Sequence, residues 1–181
     1  MALFGAGLAC GQEFVITGDW EVQLDGQTLR LSPPLLVDVK DERYVGVPMF
    51  NPKAGGWVKG LQLQGVRAQE TTSPGLLDVD SFHLRAGVGV DAPEFLRGVD
   101  YEVDLEWGTF GRLTNSRIGA EQEVFASYRH GKMRLDSVVR TVYGDVVMRQ
   151  GVPRVAAPVG PGVRTGERRL GNIYLPGFVT K

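Results

Sequence analysis

The chain has 181 residues, enough to bury one good core or two small ones but short for two independently stable domains, so one principal domain with extensions is expected. Its 20 basic and 21 acidic residues leave a net charge of −1, which excludes the electrostatic footprint of a nucleic-acid or anionic-membrane binder. Hydrophobic residues make up 43% of the chain, yet no unbroken apolar run is long enough to span a bilayer, and a soluble protein is expected.

Residues 1–12, MALFGAGLACGQ, are small, apolar and uncharged. Such a segment is too short for an isolated helix and too apolar for a solvated tail, so it is expected to dock, with Leu3 and Phe4 as its bulkiest contacts. The single cysteine, Cys10, excludes an internal disulfide framework and a multi-cysteine zinc site, and it fits a chain made in a reducing cytoplasm. GLACG is similar to a lipoprotein processing site, but no Lys or Arg precedes the apolar stretch, which is also too short and glycine-rich for a signal sequence.

The 25 glycines and 10 prolines punctuate the rest densely, which favours short strands over long helices. In DWEVQLDGQTLRLS, Trp20, Val22 and Leu24 alternate, Asp25-Gly26 interrupts, and Leu29 and Leu31 alternate again, a strong hairpin signal. A short strand around Leu35–Val39 precedes a loop holding Pro48, Pro52 and Gly55-Gly56. WVKGLQLQGVRAQ and GLLDVDSFHLRAGVGV alternate about the turn-like ETTSPG and read as paired strands, while APEFLRG is the one candidate for a helical turn.

VDYEVDLEWGTFGRL is the clearest strand pattern. Val99, Tyr101, Val103, Leu105 and Trp107 fall on one face, and Asp100, Glu102, Asp104 and Glu106 on the other. EVFASYRHGKMRLDSVVRTVYGDVVMRQG reads as three more strands, with reversals near His130-Gly131 and Gly144-Asp145. Beyond it, Pro153, Pro158 and Pro161 each remove a ladder donor, so the chain should run extended over the surface until RRLGNIYLPG resumes a short strand. No fixed-period repeat is visible, which argues against a solenoid or propeller.

Little of this carries chemistry. Same-face carboxylates on a strand stand about 7 Å apart, too far for the row Asp100 to Glu106 to chelate one cation, so a solvated face paired with Arg112 or Arg129 is expected. His83 and His130 lie in different patterns, His130 at an expected solvated turn. Ser137 sits within a strand rather than on a nucleophile elbow, and GAGLACG lacks the strand, helix and Lys-Ser/Thr of a phosphate loop. Arg164, Arg168 and Arg169 form a basic cluster without interleaved aromatics. No cofactor, metal or catalytic residue is expected. Trp20, Trp57 and Trp107 leave an alternative open, a carbohydrate-binding or accessory β-sandwich, although tryptophans in alternating strands are more often core residues.

RLDSVVRTVYGDVVMRQGVPRVAAPVGPG followed by RRLGNIYLPG resembles a segment of tail-fibre, baseplate and appendage proteins of tailed bacteriophages. The shared pattern is Arg134, Asp136, Val138, Gly144, Gly151, Pro153, Pro158, Pro161, Leu170, Ile173 and Pro176. The preceding RGVDYEVDLEWGTFGRL and EVFASYRH resemble the hairpin that leads into that segment, so the likeness covers roughly the second half of the chain. Stopping soon after LPGFVTK, this chain lacks the continuation of longer fibre proteins, which favours a connector over a receptor-binding part. Arg134 and Asp136, two apart on one strand face, are either a mutually supporting pair or merely solvated.

The expectation is an all-β, antiparallel, sandwich-like domain over residues 13–151, preceded by the docking segment 1–12 and followed by an extended proline-containing arm over 152–181. The resemblance implies a non-enzymatic virion component assembled in the host cytoplasm. Its partners would be copies of itself, a trimer first, and other virion structural proteins, but neither nucleic acid nor membrane. Leu3, Phe4, Pro153, Pro158, Pro161, Ile173, Tyr174 and Pro176 are the expected partner contacts.

Overall fold

The computed structural model describes residues 14–68, 71–78 and 80–178. Its strands are β1 (Val15–Gly18), β2 (Glu21–Leu24), β3 (Gln27–Arg30), β4 (Leu35–Tyr44), β5 (Leu61–Gln62), β6 (His83–Arg85), β7 (Tyr101–Asp104), β8 (Thr109–Arg112), β9 (Val124–Lys132), β10 (Arg134–Arg140), β11 (Val146–Arg149) and β12 (Arg168–Leu175). Apart from the single 3-10 turns Gly56–Val58 and Gln64–Val66, no helix occurs among the described residues, and the fold is all-β. None of its helical turns is long and apolar enough to cross a membrane.

The strands form four three-stranded sheets divided between two compact units. The first unit takes the chain up to Leu35 and again from Lys132 onward; the second is Leu36–Gly131. Composition places boundaries at residues 12 and 151, whereas the division falls after Leu35 and Gly131. The reason is that the first unit draws strands from both ends of the chain, and a local pattern carries no trace of such a long-range pairing.

In the first unit β1, β2 and β3 form one antiparallel meander. Asp25 and Gly26 both have positive φ, 51° and 80°, the backbone that a two-residue hairpin turn requires if its twist is to match the strands. The register it sets, Leu24 opposite Gln27 and Glu21 opposite Arg30, turns Val22, Leu24 and Leu29 inward. The second sheet, β11-β10-β12, contributes Val138, Val146, Ile173 and Leu175 to the same core. Trp20 packs against that core from its edge.

In the second unit the sheets are β4-β9-β6 and β5-β8-β7. Phe110 on β8 is fully buried and gathers the aromatic core: the Tyr44 ring meets it edge-on at 5.1 Å, and Phe82 lies 5.7 Å from it and 5.6 Å from Tyr101.

Several local expectations give way. WVKGLQLQGVRAQ supplies only the two residues of β5 between 3-10 turns, and GLLDVDSFHLRAGVGV only β6; they pair with β8 and β9, not with each other. APEFLRG opens no helix: Glu94 bridges to Arg85, and Leu96 to Val99 close a turn through a 3.2 Å backbone bond. The strand near Leu35 continues to Tyr44. No reversal occurs at His130-Gly131, because β9 runs through both residues and Met133 alone separates it from β10. The reversal at Gly144-Asp145 is present, closed by a 2.8 Å bond from the Thr141 amide to the Asp145 carbonyl.

Candidate functional site

Arg134 and Asp136 are almost completely buried, each side chain 1% exposed, and they form a two-pronged ion pair on β10. Arg134 Nε donates to Asp136 Oδ1 at 2.7 Å and its Nη2 to Oδ2 at 2.9 Å. The remaining guanidinium protons are used on the carbonyls of Ser32 and Pro33, at 2.6 and 3.3 Å. Asp136 Oδ1 also accepts the Gly151 amide at 2.8 Å. The solvated reading of this pair is therefore overturned: β10 carries a buried clamp that ties down the chain leaving β3 and the chain entering the proline-containing stretch. Desolvating both charges is tolerable only because nearly every donor and acceptor has a partner.

The Gly151 position tolerates no side chain, since a Cβ there would stand 2.2 Å from the Leu135 carbonyl oxygen. Arg-x-Asp and Gly-x-Pro, separated in the sequence, are thus two halves of one structural device.

From Gly151 the chain runs as a strap across its own unit. The Arg154 amide donates to the Met133 carbonyl at 2.8 Å, and a Cβ at Gly160 would lie 3.2 Å from the Ser137 hydroxyl and 3.5 Å from Asn172 Oδ1. Farther on, Arg169 donates to the Pro161 carbonyl, and Glu167 pairs with Arg149. The strap expected to reach for other subunits is folded down on its own β10 and β12.

That changes which of its residues face outward. Pro153, Pro158, Pro161 and Pro176 are half-buried, and Ile173 is a core residue at 6% exposure whose side chain is unavailable to a partner. Tyr174 is half-buried with its hydroxyl 3.7 Å from the Met133 sulfur. Leu3, Phe4 and Cys10 lie outside the described residues. The side chains presented to solvent are instead the valines between the prolines, Val152 at 65%, Val159 at 60% and Val163 at 37%, and Val142 and Tyr143 at the β10–β11 turn, at 59% and 89%. Apolar residues spaced between prolines carry that signal in the sequence, but the prolines themselves drew the attention. The outer edge strand β1 adds Val15 and Ile16, both about half exposed.

Compared with known proteins, the chain matches no family model, no curated protein and no solved structure.

The acidic row is not a solvated face. Asp100 precedes β7, is fully buried, and accepts four hydrogen bonds: Arg117 Nε at 2.9 Å, Arg117 Nη2 at 2.5 Å, and the amides of Leu96 and Arg117 at 2.8 and 3.1 Å. Those bonds, the Arg117 guanidinium first, outweigh burial and hold its carboxyl well below the usual carboxylate range. Glu102 pairs with Arg97 and Asp104 with Lys59. Neither expected partner takes part: Arg112 donates to the Val47 carbonyl, and Arg129 pairs with Asp38. Among the described residues no group of His, Cys, Asp and Glu is arranged to hold a metal ion.

His130, expected at a solvated turn, is 2% exposed inside β9. His83 is exposed and bonded to Glu94 at 2.8 Å. Ser137 is buried with its hydroxyl given to Asn172 at 2.7 Å, so it is neither activated nor accessible as a nucleophile. The tryptophans do not assemble a sugar platform, since Trp20 packs on the first unit's core while Trp107 lies against Gly56 in the second.

A polar cluster that the sequence did not suggest lies in the second unit. Glu42 Oε2 accepts the hydroxyls of both Tyr44 and Tyr128, the latter at 2.8 Å, and those oxygens accept the amides of Gln64 at 3.0 Å and Gly65 at 2.9 Å. Burial, then the Glu42 carboxylate, pushes both phenols far above their usual pKa. The cluster fastens β4 and β9 to the 3-10 turn at Gln64–Val66. Its members are single residues from distant segments, so no spacing rule could have found it.

Proposed function

We propose that the protein is a non-enzymatic structural component of a tailed-phage virion, from the tail, baseplate or fibre-attachment region, acting by self-association and by docking on neighbouring virion proteins. The observation that carries the reading is the row of exposed valines, Val152, Val159 and Val163, on a strap otherwise held against its own sheet by the Arg134–Asp136 clamp and the Met133–Arg154 bridge. A preordered strap loses little further conformational entropy on docking, so apolar area buried on it is retained as association free energy.

The resemblance of the Arg134 to Pro176 segment to phage appendage proteins supplies the context. The open edges of β1 and β11 add unpaired backbone groups, which symmetric closure would satisfy, and a homotrimer is the first expectation.

Light scattering on the full chain tests this. A closed homo-oligomer is expected, and the triple variant Val152→Ser, Val159→Ser, Val163→Ser should dissociate while melting at the same temperature. A monodisperse monomer, together with absence of the protein from purified particles, would overturn the reading.

A further inference from the structure

A second surface, in the Leu36–Gly131 unit and independent of the strap, is built for a ligand of defined chemistry. An open groove of about 700 Å³ lies between the end of β4, at Arg43–Val45, and the segment Leu61–Ala68 that contains β5. The volume is far larger than a single ion requires and falls in the range of ligand sites.

No acidic side chain lines it among the described residues, although the chain as a whole carries more acids than bases. Two arginines do, Arg43 and Arg67, with the amides of Gln62 and Gln64 between them. Arg43 spends its charge only on Glu123, in an exposed pair worth little in water, and Arg67 is exposed with no ion pair among the described residues. The carboxylate that would otherwise compensate them, Glu42, is already occupied by the hydroxyls of Tyr44 and Tyr128. The wall is also rigid, because the Gln64 amide is fastened to the Tyr44 hydroxyl at 3.0 Å. The groove is therefore a preorganised, uncompensated cationic surface.

Two features decide which anion fits. First, both flanking strands are sheet edges: β4 is the outer strand of β4-β9-β6, and β5 of β5-β8-β7. An edge offers a row of backbone donors and acceptors that an extended peptide can match residue by residue. Second, the one aromatic side chain in the lining, Tyr44, is 6% exposed, so no ring is available to stack on a sugar or a base. Val45, 48% exposed, gives an aliphatic contact at the rim.

We propose that this groove binds an extended acidic peptide segment of a partner protein, its carboxylates paired with Arg43 and Arg67, its backbone along a sheet edge, and an aliphatic side chain against Val45. Guanidinium-carboxylate pairing in a groove with fixed walls gives register as well as attraction.

The test is fluorescence anisotropy on the full-length protein with a labelled, end-blocked peptide Gly-Asp-Glu-Val-Glu-Asp-Gly, its Lys-for-Asp/Glu counterpart, and polygalacturonate as a polyanionic sugar. The acidic peptide should bind saturably, the basic one should not, and binding should weaken with added salt. Arg67→Glu should weaken it roughly tenfold or more, and Arg67→Gln by less, both with unchanged melting temperature because Arg67 is exposed and unpaired. Absence of saturable binding, insensitivity to both Arg67 variants, or Arg67-dependent binding of polygalacturonate in preference to the peptide would each overturn the proposal.

Discussion

Arg134 and Asp136 meet through two parallel hydrogen bonds of 2.7 and 2.9 Å in a place from which water is excluded, and the same carboxylate holds the Gly151 amide that begins the strap. A buried pair of this kind is costly to break and inexpensive to replace as a whole. Asp136→Ala should destabilise the protein by about 3–5 kcal/mol, because it leaves an uncompensated buried guanidinium and an unpaired Gly151 amide. The double variant Arg134→Met, Asp136→Leu should recover much of that loss. Urea unfolding of the three proteins measures both; equal losses in the single and double variants would show that the charges themselves are not what the site depends on.

The close approach at Gly151 is a matter of space. Gly151→Ala would set a Cβ 2.2 Å from the Leu135 carbonyl oxygen, a backbone atom that cannot swing aside. A loss of about 1–3 kcal/mol or more is expected, with increased susceptibility of the strap to proteolysis. Gly162→Ala, where nothing lies within 4 Å and the backbone is unstrained, should be neutral or slightly stabilising through the unfolded chain. Limited proteolysis and thermal melts of the pair separate packing from composition.

The pH response should be asymmetric. Asp100 is held well below its unfolded value near 3.9, so its contribution is complete above about pH 4 and drains as pH falls further, with no loss between pH 5 and 8. At the alkaline end the phenols of Tyr44, Tyr101 and Tyr128 are raised by burial, Tyr101 to about 12. Their stabilising contribution is full below the unfolded value of about 10 and falls as pH rises through the folded values. Tyrosinate absorbance should therefore rise together with loss of near-ultraviolet circular dichroism above about pH 10. Ionisation of these tyrosines with the fold intact, or a stability loss centred near pH 6, would contradict this assignment.

What could be read in advance depended on distance along the chain. The β2–β3 hairpin was legible because Asp25-Gly26 dictates its own turn and alternation does the rest within twelve residues. The β10–β11 hairpin was legible for the same reason. Weaker alternation in WVKGLQLQGVRAQ gave way because the Phe110 core captured that segment as 3-10 turns around a two-residue strand. His130-Gly131 looked like a turn by composition, yet tertiary pairing with β6 and the Leu77 bridge stretches it through β9.

By itself the sequence determined the all-β class and its hairpins, since period-two patterning and turn chemistry act over a few residues. Only the tertiary structure decided that Arg134 and Asp136 are a buried clamp, that the proline-containing strap lies on its own sheet with its valines outward, and that two arginines from separate strands share one groove. Burial, charge pairing and partner choice are set by residues tens of positions apart, and no local pattern encodes which of them will meet.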